Sequence, residues 1–415
     1  MNFPVYYEFF CGARIIAGHD GLERIPLLLE ELGVANPIIL TDKGVVGAGL
    51  LAIVLASLRS EMRDVTVFDD IPPDSDILVV NRIAREYKKN ACDSIIAVGG
   101  GSVIDTAKGV NALVSEDESD LFNLKGAGRI KRQLKPFIAM PTTSGTGSEA
   151  TLVAVVKDNE KKVKCIFTSV FLQPNIAILD SRMTLTLPPA VTAATGMDAL
   201  THAMEAYYCL QKNPISDSHA LLAVELISQN LLKIMENPHD KEGRLNLAIA
   251  SNLAGIAFAN SMVGMVHTLG HSFGAVCGVP HGVCMAVLLP YGLEYNMHKK
   301  SKEIGQLLLP LVGVEEYQKT PFRLRGERVV SIIREMNSSL NKITEGKHPL
   351  RFKDILGRDG RQLIREEDLA TVAKVARNDG SIFMNPEELN YEDLLMVATA
   401  SFAGNPLDVK QIKKG

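Results

Sequence analysis

Between Arg244 and Glu294 the chain carries no Asp, Glu, Lys or Arg. A run of that length without charge has few destinations. It is long enough to cross a membrane, but Asn246, Asn252, Asn260, three His and Pro280 break it, and a bilayer core offers such groups no partners. The reading that remains is a set of central helices in a large helical domain, apolar all round because neighbours cover every side. A second apolar stretch, Gly44 to Leu58, is too short to span a bilayer.

The polar tips inside and just ahead of this run carry chemistry. Asp198 and His202 are four apart, as are His267 and His271, so each pair lies on one helix face about a turn apart. His281 follows a Gly-Val-Pro break that lets the chain turn back towards the same point. Any one of these histidines reads equally well as a satisfied core residue. Together, three of the four in the run without charged side chains, they fit a cation held by neutral imidazoles and one carboxylate. The six cysteines (Cys11, Cys92, Cys165, Cys209, Cys277, Cys284) show no C-x-x-C spacing and read as reduced thiols of a cytoplasmic protein. Cys277 and Cys284 fall near the histidines in sequence, either beside the site or as small buried hydrophobes.

The 415 residues, 46% hydrophobic and 22% charged, are enough for two domains with their own cores. A net charge of −4, with no Lys/Arg stripe interleaved with aromatics, gives nucleic-acid binding nothing to rest on. The N-terminus lacks the basic region and apolar run of a signal peptide, so export is not expected. The first half alternates apolar runs with amphipathic helices. Pro37-Ile-Ile-Leu-Thr, Val65-Thr-Val-Phe, Ser94-Ile-Ile-Ala-Val, Pro136-Phe-Ile-Ala-Met and Asn175-Ile-Ala-Ile-Leu read as strands of a parallel sheet covered on both faces. After Leu187-Pro-Pro the pattern is helical. The expected organisation is an α/β dinucleotide-binding domain over 1–187 and an all-helical metal-binding domain over 188–415. The charge-rich stretch 318–367 reads as a solvated surface elaboration.

Two loops in the first half suit a nucleotide. Gly99-Gly-Gly-Ser102 joins a strand to a helix, which puts backbone N–H groups at a positive helix terminus where phosphate binds; a plain tight turn explains the triplet about as well. Pro141-Thr-Thr-Ser-Gly-Thr-Gly-Ser-Glu149 offers hydroxyl donors at the same sheet edge. Two such loops at the carboxyl ends of parallel strands mark a dinucleotide crevice. Asp42, just past a strand, is placed either to accept from a ribose 2′-hydroxyl or to cap the next helix.

The glycine loop with Val103-Ile-Asp-Thr-Ala-Lys, the Pro141–Glu149 loop, Gly196-Met-Asp-Ala-Leu-Thr-His-Ala-Met-Glu and the block from His267-Thr-Leu-Gly-His to Pro280-His-Gly occur in this order. In this the chain resembles the iron-containing (group III) alcohol dehydrogenases over nearly its whole length. The resemblance implies the dehydroquinate synthase-like architecture, an α/β nucleotide domain followed by an all-helical metal domain with a cleft between them. It implies reversible hydride transfer between a primary alcohol or aldehyde and a nicotinamide, with Fe(II) or Zn(II) as Lewis acid. By matching positions it makes Asp198, His202, His267 and His281 the metal ligands. It leaves His271 beside the nicotinamide, where it is expected to relay the proton. It also places pyrophosphate on Gly99, Gly100, Gly101 and Ser102 with Asp105 steadying the loop, and Thr142, Thr143, Thr146 and Lys164 around the nicotinamide half. Asp42 matches the position associated with NAD in preference to NADP. Val153 and Phe258 match substrate-side positions and lean towards a less polar alcohol. A homodimer or larger homo-oligomer is expected. The rival readings are a glycerol dehydrogenase or dehydroquinate synthase-like enzyme of the same architecture and, more remotely, a non-catalytic metal-binding scaffold.

Overall fold

The structure is a computed structural model that describes residues 6–58, 65–159, 163–357, 359–407 and 412. In chain order the strands are β1 (Arg14–Gly18), β2 (Pro37–Leu40), β3 (Thr66–Phe68), β4 (Ser94–Gly99), β5 (Gly126–Ala127), β6 (Phe137–Pro141), β7 (Val153–Asp158), β8 (Val163–Thr168) and β9 (Ile176–Asp180). The α-helices of the same half are α1 (Ile25–Glu31), α2 (Lys43–Gly47), α3 (Leu50–Leu58), α4 (Ile77–Lys89) and α5 (Gly101–Ser115). The helices that follow are α6 (Pro189–Tyr208), α7 (Pro214–Glu236), α8 (Lys241–Ser261), α9 (Met265–Cys277), α10 (His281–Gln306), α11 (Leu308–Lys319), α12 (Arg325–Ile343), α13 (Leu369–Ala376) and α14 (Tyr391–Ala403). No strand follows β9 among the described residues, and no single helix is long and apolar enough to cross a membrane.

Two compact units emerge. One gathers Phe10–Leu187 with His239–Ala259 and is built on a six-stranded parallel sheet in the order β1-β9-β6-β4-β2-β3. Its central strand β4 is buried along its whole length, which is why its sequence is a continuous apolar run. The pleat still sorts its side chains. Ile95 and Ala97 point into the core formed with Val103, Ile104 and Val110 of α5, whereas Ile96 and Val98 face the core formed with Leu22, Ile25, Leu28 and Val54. A small sheet, β5-β8-β7, stands apart from the main one. Neither that sheet nor the edge strand β1 follows from the continuous-apolar criterion. Strand β1 has no buried residue, and β7 alternates buried with more open positions because one of its faces is wet.

Residues 239–259 extend this unit, although the sequence expectation assigned all of 188–415 to the helical domain. The physical reason is a backbone crossing. A Cβ on Gly255 of α8 would lie 2.7 Å from the Gly147 carbonyl oxygen, and one on Gly147, where φ is +58°, would lie 2.7 Å from Gly255 Cα. Only a pair of glycines lets the second loop sit this close to α8. Beside the crossing, Asn252 Nδ2 donates to the buried Glu149 carboxylate at 3.0 Å.

The other unit contains residues 6–9, Pro188–Pro238 and Asn260–Gly415 as far as it is described. Its axis is α10, which packs against α6, α9 and α12. Helix α9 ends at Gly278, whose φ of +73° provides the left-handed cap that turns the chain through Val279-Pro280 into α10. The stretch 318–367 is not a surface elaboration. Helix α12 buries Val329, Ile333, Met336 and Leu340, and the fully buried Phe352 stacks on Phe273 of α9 with ring centroids 3.8 Å apart. Its charges occupy the outer face of an amphipathic helix, so composition alone hides the inner one.

Candidate metal centre and nucleotide-binding loops

Helix α6 begins at Pro189, in the position where proline suits a helix start. From there its register puts Asp198, His202 and Glu205 on one face, and all three are buried. Helix α9 supplies His267, and His281 is the first residue of α10. The break at Gly278-Val-Pro280 therefore returns the chain as its spacing suggests. One donor atom from each of Asp198, His202, His267 and His281 lies within 4.8 Å of all the others. Asp198 Oδ1 is 3.3 Å from His281 Nε2 and 3.9 Å from His202 Nδ1, and the His202 and His267 rings stack at 4.6 Å.

The electrostatics suit a cation. Burial pushes the Asp198 carboxyl upward, but the imidazoles of His202 and His281 outweigh it and hold the group well below the usual carboxylate range. Burial, reinforced by the neighbouring His281 and His271, keeps His267 neutral by drawing its pKa well below 6.5. His267 Nδ1 lies 2.6 Å from a Glu205 oxygen, while its buried Nε2 has no hydrogen-bond partner. A buried ring nitrogen without a partner, on an imidazole that converges with a carboxylate and two further imidazoles, is a donor set that could hold a divalent metal. The residues present fit such an ion.

His271 lies one turn beyond His267 and outside the clustered four. Its Nδ1 is 2.9 Å from Asp379 Oδ2, and its ring stacks on His281 at 5.3 Å. All six cysteines are free. Cys284 is buried and directs its Sγ to the Val279 carbonyl at 3.9 Å, and neither it nor Cys277 joins the cluster.

In the sheet-bearing unit, the two loops meet. Gly100 is the N-cap of α5 and has no side chain to cap it, an arrangement that suits an anion at that helix start. The Thr142 N–H donates to the Gly99 carbonyl at 3.1 Å. A Cβ on Gly101 would lie 2.8 Å from Thr146, one on Gly100 would lie 3.4 Å from Thr143, and one on Gly99 would lie 2.5 Å from Val103. The glycine triplet is therefore set by the approach of the threonine loop as well as by the turn. Asp105 accepts from Ser148 Oγ at 2.5 Å and from the Val155 N–H at 3.0 Å, so it ties α5 to the second loop and to β7. Ser102 Oγ accepts from the Asp74 N–H. Burial raises the Asp105 pKa, and the charges of Lys108 and, least, of Lys164, which sits on β8 opposite Lys157, offset part of the rise. Asp42 Oδ1 accepts from the Val45 N–H at 2.9 Å and caps α2, the second of the two roles its position allowed. Val153 opens β7 and Phe258 lies in the last turn of α8, on separate elements.

Three residues escaped the sequence reading. Glu205 carries a usable signal, since it falls seven after Asp198 and three after His202 on the same face. Lys108 is fully buried and donates to the Thr151 carbonyl, Thr151 Oγ1 and the Val153 carbonyl; its place in a helix gave no hint of that burial. Asp379 is more than a hundred residues from His271, and no local pattern connects them.

A parallel-sheet unit with an uncapped glycine loop, in a chain that also carries a buried carboxylate–imidazole cluster, defines the class of metal-assisted nicotinamide oxidoreductases. Comparison with known proteins narrows the class. The profile described as iron-containing alcohol dehydrogenase matches residues 12–181, and that of the Fe-containing alcohol dehydrogenase family, C-terminal, matches 192–402. The chain is 31% identical to alcohol dehydrogenase 4 of Saccharomyces cerevisiae over 387 residues, covering 93% of this chain and 96% of that protein. It is 30% identical to the NAD-dependent methanol dehydrogenase of Bacillus methanolicus over 390 residues, covering 94% and 98%. The crystal structure of a 1,3-propanediol oxidoreductase superposes with a TM-score of 0.89 at 29% identity, covering 96% of this chain and all of that one. The chain belongs to the iron-containing alcohol dehydrogenase family.

Proposed function

We propose that this chain is an NAD-dependent alcohol dehydrogenase that passes hydride reversibly between the carbinol carbon of a primary alcohol and the nicotinamide C4. The observation that carries the reading is the convergence of Asp198, His202, His267 and His281 with the His267 Nε2 lone pair left buried and unpaired. These four residues would hold one divalent ion, Fe(II) foremost by family and Zn(II) as the alternative, since an N/O donor set accepts both. Such an ion supplies a Lewis acid for the alcohol or carbonyl oxygen.

The chain's own groups do the rest. The N–H groups of Gly99, Gly100, Gly101 and Ser102 receive the pyrophosphate, and Asp105 holds that loop to the second one. Thr142, Thr143, Thr146 and Lys164 surround the nicotinamide half. Asp42 keeps one carboxylate oxygen on Val45, which leaves the other to accept from a ribose 2′-hydroxyl and to repel a 2′-phosphate, favouring NAD over NADP. His271, with Nδ1 on Asp379, presents Nε2 to take the alcohol proton and pass it to solvent. Val153 and Phe258 give the substrate side an apolar lining suited to a less polar alcohol. The six free thiols agree with a cytoplasmic location, and family membership with a homodimer or larger homo-oligomer.

The test is NADH absorbance with anaerobically purified, Fe(II)-loaded protein, NAD and a panel from methanol and 1,3-propanediol to long-chain and aromatic alcohols, beside His267→Ala. Turnover by the intact protein and none by the variant is expected. Silence across the panel in both directions, with zinc as with iron, would overturn the reading in favour of a synthase-like or non-catalytic protein.

A further inference from the structure

We propose that Glu205 is a positioning residue that fixes the tautomer and rotamer of His267, so that His267 meets a metal ion through Nε2 with its proton kept on Nδ1. This deepens the functional reading above and rests on it. Glu205 has no solvent exposure, and its two oxygens do separate things. Oε1 accepts from the Val266 N–H at 2.9 Å and from the Tyr208 hydroxyl at 3.3 Å. Oε2 lies 2.6 Å from His267 Nδ1 and 3.4 Å from the His267 N–H. Burial raises the Glu205 pKa to about 7, and the Val266, Gly264 and His267 N–H groups pull against that rise. Both oxygens already accept from main-chain N–H groups, so the carboxylate faces Nδ1 as an acceptor and the partner at 2.6 Å is the donor: Nδ1 carries the hydrogen and Nε2 keeps its lone pair. The buried Nε2 has no hydrogen-bond partner, and His267 is one of the four converging residues.

The same carboxylate caps a helix. The N-cap of α9 is Gly264, which has no side chain to offer, and a Cβ there would lie 3.3 Å from Glu205 Oε1. Two side chains from elsewhere take over. Glu205 accepts from Val266 and His267, and Asn385 Oδ1 accepts from the Met265 N–H at 3.2 Å. Glu205 therefore sets where α9 starts as well as which nitrogen of His267 is bare, and one helix face delivers two ligands and the group that orients a third. A carboxylate behind a ligating imidazole also makes it a better donor. With Asp198 it places two negative charges around a doubly positive ion, which favours divalent cations over monovalent ones.

Glu205→Gln tests the tautomer. The glutamine keeps an oxygen for Val266 but turns an NH2 towards Nδ1, which must then give up its proton to Nε2 and lose the free ligand lone pair. The control is Asn385→Ala, which removes the other cap of the same helix end. Full-length, chelator-treated proteins are titrated with zinc and with cobalt(II) against a competing chelator, and the metal-free thermal transition of each is recorded. We expect one site in the wild type, metal affinity about 10- to 100-fold weaker in Glu205→Gln, and affinity close to wild type in Asn385→Ala. Equal affinity in Glu205→Gln and wild type overturns the proposal. So does an equal loss of affinity in both variants, which would reduce Glu205 to a helix cap. A third measurement does not depend on either variant folding: nitrogen-15 imidazole shifts of metal-free wild type should show His267 protonated on Nδ1, and protonation on Nε2 overturns the assignment. If the wild type binds no metal at all, the functional reading itself fails, an outcome distinct from a defect confined to Glu205→Gln.

Discussion

Single side chains divide the labour around the histidine block according to what stands behind each ring. His267 has a fully buried carboxylate behind it and a bare nitrogen in front. His271, one turn on, also has a carboxylate behind it, Asp379, but is partly exposed and lies outside the clustered donors. Exposure does not separate the two roles, since the clustered His281 is as open as His271; what separates them is that His271 lies outside the converging donors and reaches water. The prediction at this scale concerns His271→Ala. Its steady-state kcat should fall roughly 100-fold or more, the ordinary contribution of a positioned acid–base group, with metal content unchanged. Equal kcat in variant and wild type across the pH range would remove His271 from the proton path. The i, i+4 pairs made the ligand candidates legible in the sequence. Glu205 was legible in principle from the same helix register, but Asp379 was not, because a contact spanning 108 positions has no local period.

Helices and loops of the sheet-bearing unit also meet through close backbone approaches. The second loop crosses α8 at Gly147 and Gly255 with room for hydrogens only, and Asn252 and Glu149 seal the crossing with a buried hydrogen bond. Helix α5 is tied to the same loop by Asp105 and to the Thr151–Val153 backbone by Lys108. A methyl group at position 255 cannot be absorbed by a rotamer change, because its nearest atom is a main-chain oxygen at 2.7 Å. Gly255→Ala should therefore destabilise the protein by about 2 kcal/mol or more despite alanine's higher helix propensity, read as a lower urea midpoint. It should also raise the KM for NAD, since the loop that moves is the one packed on Gly100 and Gly101. A midpoint equal to wild type would mean that the crossing relaxes freely. The strands with two covered faces announced themselves as apolar runs. Strand β1, with no buried residue, and β7, buried on one face only, did not, because partial burial dilutes the signal.

For the molecule as a whole, stability should depend on pH through groups buried in the uncharged state. His348 is the clearest case outside the metal centre. It is almost completely buried, its Nε2 lies 2.8 Å from Asn337 Oδ1 and its Nδ1 has no partner, so a second ring proton would have nowhere to bond. Burial pulls its pKa from 6.5 down to about 4. A folded-state pKa below the unfolded value means that the stability contributed is fully present above pH 6.5 and is lost as the pH falls towards 4. Glu149, raised by burial, acts in the opposite direction, so the effect is best isolated as a difference. The unfolding free energy of wild type relative to His348→Gln should decline by on the order of 2 kcal/mol between pH 7 and pH 4, and a flat difference would show that the ring titrates normally. Asn337 also donates to the Ala286 carbonyl at 2.7 Å, so this site couples α12 to α10, well within the stretch whose composition suggested mere surface.

The sequence by itself determined the class of the fold and marked the four residues that converge in the candidate site. Apolar runs long enough for buried parallel strands, glycines at strand ends, and one Asp with four His among small or apolar residues are local patterns, and local patterns survive in one dimension. Tertiary structure alone decided that residues 239–259 cluster with the sheet-bearing unit, that the charge-rich 318–367 stretch contributes core, that Asp42 spends one oxygen on a helix cap, and that Glu205 stands behind His267. Each of these depends on which surfaces meet across long separations in the chain. Burial and backbone crossing, not residue type, set those meetings, and they leave no period in the sequence to read.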